Sequence, residues 1–191
     1  MADNKNNSQN VSVGKPMSTG AVYFNKLGQN LPTDAITKLD DAWSCAGYIS
    51  EDGVTNEVEV DSEDIKAWGG DVVASPMTSH SEKFGMTFIE CNATTLKQVY
   101  GEKNVTIDSS TGAIAIKHTS DEHSNISMVI EIVLSGDRVK RLVIPNAKLS
   151  ELGEIAYKDD EAIGYECTFS AFPDQSGVKV HEYICATTTG E

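Results

Sequence analysis

The residues best suited to metal binding or nucleophilic chemistry are four histidines and four cysteines, and their spacing suits neither task. His80, His118, His123 and His181 form no HExxH, and none has a second histidine or a cysteine at the spacing a zinc site uses. His118 and His123 share their segment with Asp121 and Glu122, which reads as a solvated loop. Cys45, Cys91, Cys167 and Cys185 are far apart, with no CxxC, and the chain is too long to depend on disulfide staples. Free thiols in a reducing compartment are expected. There is no GxSxG and no P-loop, because Gly69 and Gly70 lack the Lys-Ser/Thr that must follow. The expectation is a protein that is not an enzyme, with no metal and no cofactor.

The strongest local signal is acidic. Residues 50–64 hold Glu51, Asp52, Glu57, Glu59, Asp61, Glu63 and Asp64, and no Lys or Arg. Glu57, Glu59, Asp61 and Glu63 alternate, so an extended chain points all of them to one side. Such a row repels itself and must face water, an ion or a partner's cations. Calcium needs oxygens converging on a point, and alternation spreads them along a line. Trp68, Gly69 and Gly70 then form a turn carrying one large apolar ring. A contact with a partner, involving Glu57, Glu59, Asp61, Glu63, Asp64 and Trp68, is the functional reading; a solvated hairpin with Trp68 on its own core is the structural one.

The whole chain of 191 residues carries a net charge of −14. Sequence-independent nucleic-acid binding needs clustered Lys and Arg, and the nearest approach to a cluster is Arg138, Lys140 and Arg141. The first ten residues, MADNKNNSQN, lack the apolar core of a secretory signal, and no apolar run approaches a membrane span. No membrane insertion is expected.

Residues 1–19 read as a flexible N-terminal arm, 20–185 as one β domain with an extended loop over 50–70, and 186–191 as a C-terminal tail. Strands are expected at Ala21–Phe24, Gly47–Ser50, Asp71–Ser79 with Pro76 at an edge or bulge, and Glu82–Cys91. Further strands are expected at Gly112–Lys117, Ile126–Leu134, Arg138–Ile144, Lys148–Tyr157, Ala162–Phe172 and Val178–Cys185. Gly136-Asp137 forms a hairpin and Pro145 stops the strand after it. A brief helix is expected after Thr33, with Ile36, Leu39 and Trp43 on one face. The clearest helix follows Asn92, with Leu96, Val99 and Tyr100 on one face and Gly101 as its stop. The fold class is mainly β, antiparallel, with one flanking α-helix.

Four phrases, GYISEDGVTN (Gly47–Asn56), IKAWGGDVV (Ile65–Val73), RLVIPNAK (Arg141–Lys148) and EIAYKDDEAIGYE (Glu154–Glu166), occur together in this order. In these the chain resembles the major tail tube proteins of siphophages that infect Gram-positive bacteria, over nearly its whole length. The resemblance implies a β-sandwich or barrel-like tail tube fold and hexameric rings stacked into a hollow tube. It implies a tube that forms around a tape measure protein, meets tail terminator and distal tail proteins, and passes DNA without specific binding. It implies a place in the virion tail, after assembly in the host cytoplasm. Residues 50–70 are expected to join one ring to the next, part of the negative charge to line the channel, and Asp71–Ser79 with Glu82–Glu90, beside Ile126–Leu134 and Arg138–Ile144, to face it. The alternative is a β-sandwich adhesin or carbohydrate-binding module, which needs a concave aromatic patch that Trp43 and Trp68 are not spaced to form. A β-rich hydrolase is a third class, opposed by the missing motifs.

Overall fold

A computed structural model of the chain describes residues 6–8 and 11–186. Thirteen strands and one α-helix follow in order: β1 Gly14–Pro16, β2 Val22–Lys26, β3 Ser44–Cys45, β4 Ile49–Ser62, β5 Ile65–Lys66, β6 Val72–Ala74, β7 Met77–Phe88, α1 Ala93–Tyr100, β8 Val105–Ile107, β9 Ile114–Ile116, β10 Ile126–Leu134, β11 Arg138–Leu152, β12 Tyr165–Phe172 and β13 His181–Ala186. Nine strands make one antiparallel sheet in the order β3-β2-β10-β11-β12-β7-β4, with β1 beside β10 and β13 beside β11; β5-β6 and β8-β9 are separate two-stranded sheets. The mainly β class with one helix is therefore the observed one.

Alternation builds the core. Val22 and Phe24, Met128 and Ile130, Leu142 and Ile144, Cys167 and Phe169, Phe84, Met86 and Phe88 all face one side of the sheet and are buried there. The sheet curls around them, because Phe24 on β2 lies 5.9 Å from Phe88 on β7 and 5.5 Å from Phe169 on β12, ring centre to ring centre. Each such buried ring contributes about 1.5–3 kcal/mol by leaving water. Residues 46–48 cross from one end of the sheet to the other. The Ala46 amide donates to Val22 O at 2.9 Å and Tyr48 O accepts from the Ile89 amide at 3.1 Å. No ladder forms at this seam, so the sheet is curled but not a closed barrel. Gly47 sits there at φ +91°, and a Cβ would meet the Glu90 carboxyl within 2.5 Å, so only glycine fits.

The helix is where the sequence places it. The Asn92 side chain accepts from the Thr95 amide at 2.9 Å, and Gly101 at φ +92° ends it. Eight residues do not hold a helix in water; burial of Leu96 and Val99 does.

Several expectations are corrected. Residues 33–43 form no helix. Asp34 Oδ1 does accept from the Ile36 and Thr37 amides, as a cap would, but Arg141 then donates to Asp34 O at 2.8 Å and Thr37 O at 2.9 Å. Those carbonyls would otherwise take helical amides. The segment instead lies across the sheet's outer face, with Trp43 buried against Tyr23, Val129 and Val143 and Ile36 in solvent. Arg141 is itself buried, donating through Nε to Glu131 Oε1 at 2.9 Å and again through NH2. The strand halted at Pro145 in the sequence reading instead runs on to Leu152. Ser127 stands opposite Pro145 and Asn146 at a bulge, and Pro145 falls between the partners β13 and β12 on its other side, so its missing N–H breaks no bond. Asp71–Ser79 and Glu82–Cys91 are not two strands: Pro76 separates the short β6 from one continuous β7. The segment read as a loop over 50–70 is largely the strand β4, paired with β7 from Val54 to Ser62. Within the segment read as an arm, β1 pairs with Leu134, Val133 and Ile132; residues 1–5, 9–10 and 187–191, parts of the arm and tail, lie outside the described residues.

Replacing Arg141 by Leu leaves the Glu131 carboxylate buried without its cation. Denaturant unfolding of the variant should show a loss of about 3–5 kcal/mol, and a loss under about 1 kcal/mol would mean that the pair does not hold residues 31–43.

Candidate assembly surfaces

The hairpin of β4 and β7 has two unlike faces. On one, Thr55, Glu57, Glu59 and Asp61 stand opposite Gly85, Lys83, Ser81 and Ser79. Ser81 Oγ donates to Glu59 at 3.0 Å, Ser79 Oγ donates to Asp61 at 2.7 Å, and Lys83 lies 3.5 Å from Glu59. The carboxylate row thus survives as a strand because each member looks across at a hydroxyl or an ammonium group rather than at another acid. On the other face, Val54 joins the core, but Val58 and Val60, opposite Glu82 and His80, and Met77, opposite Ser62, continue past its edge and are exposed. Val58 and Val60 alternate with the acids and were passed over in the sequence, where the acids dominate.

Beyond Ser62 the hairpin ends in a small second sheet and a turn. Glu63 leaves the row, its amide donating to Pro76 O at 3.1 Å, while Asp64 accepts from Ser75 Oγ at 2.7 Å. The turn closes by Gly70 N to Ala67 O at 3.0 Å and Ala67 N to Asp71 O at 2.8 Å. Trp68 at its crown is fully exposed. Of the six residues singled out in the sequence, Glu57, Glu59 and Asp61 are brought onto one face; Glu63, Asp64 and Trp68 belong to the projecting tip.

The acidic face continues across the sheet. Glu166, Thr168 and Ser170 on β12 pair with Thr87, Gly85 and Lys83, and Lys148 and Glu151 on β11 pair with Ser170 and Thr168. Among the described residues no segment covers this half of the outer face, whereas the half formed by β2, β10 and the start of β11 lies under residues 31–43. Its two cations are engaged, Lys83 with Glu59 and Lys148 with Glu122. The Lys148 ammonium holds the Glu122 carboxyl below its ordinary range. Ile126–Leu134 and Arg138–Ile144, expected to flank the channel, are buried on both sides over most of their length and have no bare face to offer.

The remaining chemistry is structural. Among the described residues no three His, Cys, Asp or Glu side chains gather as metal ligands, and no helix is long and apolar enough to cross a membrane. His118 packs on Tyr100 with ring centres 4.6 Å apart. Burial, with Lys148 nearby, pushes the His123 pKa down and favours the neutral ring. Burial pushes the Cys167 thiol up to about 12, so it is no nucleophile. Both Glu90 oxygens are occupied, one by the Tyr48 amide at 2.7 Å and one by Asn92 Nδ2 at 3.1 Å. Trp43 is buried and Trp68 projects alone, so the two form no aromatic platform for a glycan.

Glu57, Glu59 and Asp61 are exposed and contribute little to the fold. Replacing all three by Gln should shift the unfolding free energy of the free subunit by no more than about 0.5 kcal/mol, measured in urea; a larger loss would make the row a folding element rather than a free surface.

No curated protein matches the chain. Among solved structures, the cryo-EM structure of the anti-feeding prophage cap (AFP tube terminating cap) is similar at TM-score 0.47 and 12% identity, covering 97% of this chain and 100% of that one. The model of the phage tail tube protein family matches residues 4–190. That match makes the chain a member of the phage tail tube protein family: a non-enzymatic structural subunit of the virion tail that assembles with itself and with other tail proteins into a tube.

Proposed function

We propose that copies of this chain form stacked hexameric rings in which the bare face of β4, β7, β12 and the end of β11 lines a channel for DNA, and the tip of the β4–β7 hairpin joins one ring to the next. The observation that carries this reading is the two-faced hairpin. Val58, Val60 and Met77 extend the subunit's own core side into solvent, and exposed apolar strand surface of that kind is covered in a working protein. A neighbouring copy in the ring covers it, and the opposite face is thereby turned to the bore.

The bore so made does not hold DNA. Glu57, Glu59, Asp61, Glu151 and Glu166 face it among hydroxyls, and its lysines are already paired. Phosphates therefore meet no free cation whose contact would release counterions and slow transit. The mild repulsion is screened within about 8 Å at physiological salt, so it keeps the strand off the wall without blocking entry. Such a tube grows around a tape measure protein, ends at terminator and distal tail proteins, and is assembled in the host cytoplasm for a long-tailed phage. A Gram-positive host fits the sequence phrases noted at the outset.

Ser62 pairs with Met77, so residues 63–76 can be replaced by an Asn-Gly turn without disturbing the rest of β4 and β7. The expected variant is a folded monomer that forms no tubes in negative-stain images; normal tubes would overturn the ring-to-ring role. A cryo-EM map of the wild-type tube should put Glu59 and Thr168 on the bore, and a bore lined by residues 31–43 would reverse the subunit's orientation.

A further inference from the structure

A groove with a cavity volume of about 390 Å³ lies between the end of β2 and the outer side of α1. Its apolar lining is Ala42, Ala93 and Ile126 with the buried Phe24 behind them, and Lys26 and Lys97 stand at its rim. Lys97 makes no ion pair among the described residues, and Lys26 is 3.6 Å from Glu102, which also lines the groove. Asn25 lines it too. Its Oδ1 accepts from the Lys26 amide, but its Nδ2 is buried without any hydrogen-bond partner among the described residues.

The matching piece is at the far end of the same subunit. The hairpin tip offers an exposed indole at Trp68, acids at Glu63, Asp64 and Asp71, and a turn at Gly69 and Gly70 where a Cβ would meet nothing within 4 Å. The tip precedes β7 and α1 follows it, so a strand of 12 residues, about 36 Å long, separates tip from groove. A subunit cannot dock its own tip into its own groove, but a second copy placed end to end can.

We propose that the groove between β2 and α1 receives the Trp68 turn of a copy in the adjoining ring. The indole lies over Ala42, Ala93 and the edge of Ile126, and Glu63 faces Lys97. This assignment rests on the ring-to-ring reading of the hairpin and names the partner surface. The contact is head-to-tail, so every copy keeps one unfilled tip or groove at a tube end, and growth stays open until another protein caps it.

Wild-type tubes built from a mixture of isotopically light and heavy copies, treated with a zero-length carboxylate-to-amine cross-linker, test this directly. Mass spectrometry should find light-to-heavy links from Glu63, Asp64 or Asp71 to Lys97 or Lys26. Links from those acids to lysines elsewhere, or no such links, would overturn the groove assignment. Lys97→Glu should raise the concentration needed for tube growth about tenfold, and adding Glu63→Lys should restore it; failure of the paired swap to restore growth also counts against the assignment. The ring-to-ring reading fails separately, if the Asn-Gly variant lacking residues 63–76 still forms normal tubes.

Discussion

The buried contact of Arg141 with Glu131 decides what the rest of the subunit can be. One guanidinium satisfies a carboxylate across the β10–β11 ladder and two carbonyls of the segment above it. Paired so fully, the charges are tolerable in the interior. Their effect is to clamp residues 31–43 over the β2–β10–β11 half of the sheet, where Trp43, Tyr23, Val129 and Val143 form a second, smaller core. Among the described residues nothing covers the β12–β7–β4 half, which carries hydroxyls and carboxylates and can stand in water. A single ion pair thus divides the outer face into a packed half and a bare half.

A sheet of this extent also leaves edges. β4 is the last strand of its path, 14 residues long and exposed over most of its length. In a free subunit such an edge invites uncontrolled pairing, and the acids at alternate positions are a plain defence against it, since two such edges brought together repel. The defence is local and directional. A partner surface that offers cations or an apolar seat is not repelled, and the valines between the acids supply the area that makes the contact favourable. The two faces of one hairpin thus carry opposite tendencies, repulsion on the acidic side and exposed apolar area on the other.

The α1 cap and stop, the Gly136–Asp137 turn and the apolar stripes of Ile126–Leu134 were legible because each is written in neighbouring residues. The Asp34 segment was misread as helix because its start signal is real, while the group that overrides it, Arg141, comes from more than a hundred positions away. Pro145 was misread as a stop because its harmlessness depends on a bulge opposite and on a change of partner strand beside it. The acidic run was seen as a feature but not as a strand, since carboxylates have low strand preference and only the serines and lysine of β7 make their row acceptable.

What the sequence by itself determined is the set of locally encoded properties: a mainly β chain with one capped helix, a large negative charge, an alternating acidic row and the absence of a reactive motif. These need only the period of the side chains and the sum of the charges. Tertiary structure alone decided which sheet face is covered, that the acids and the hydroxyls of β7 and β12 share a surface, and that the groove beside α1 lies a strand's length from the Trp68 turn. Those relations join residues distant in the chain through strand register, and register is settled by packing over the whole sheet rather than by any segment alone.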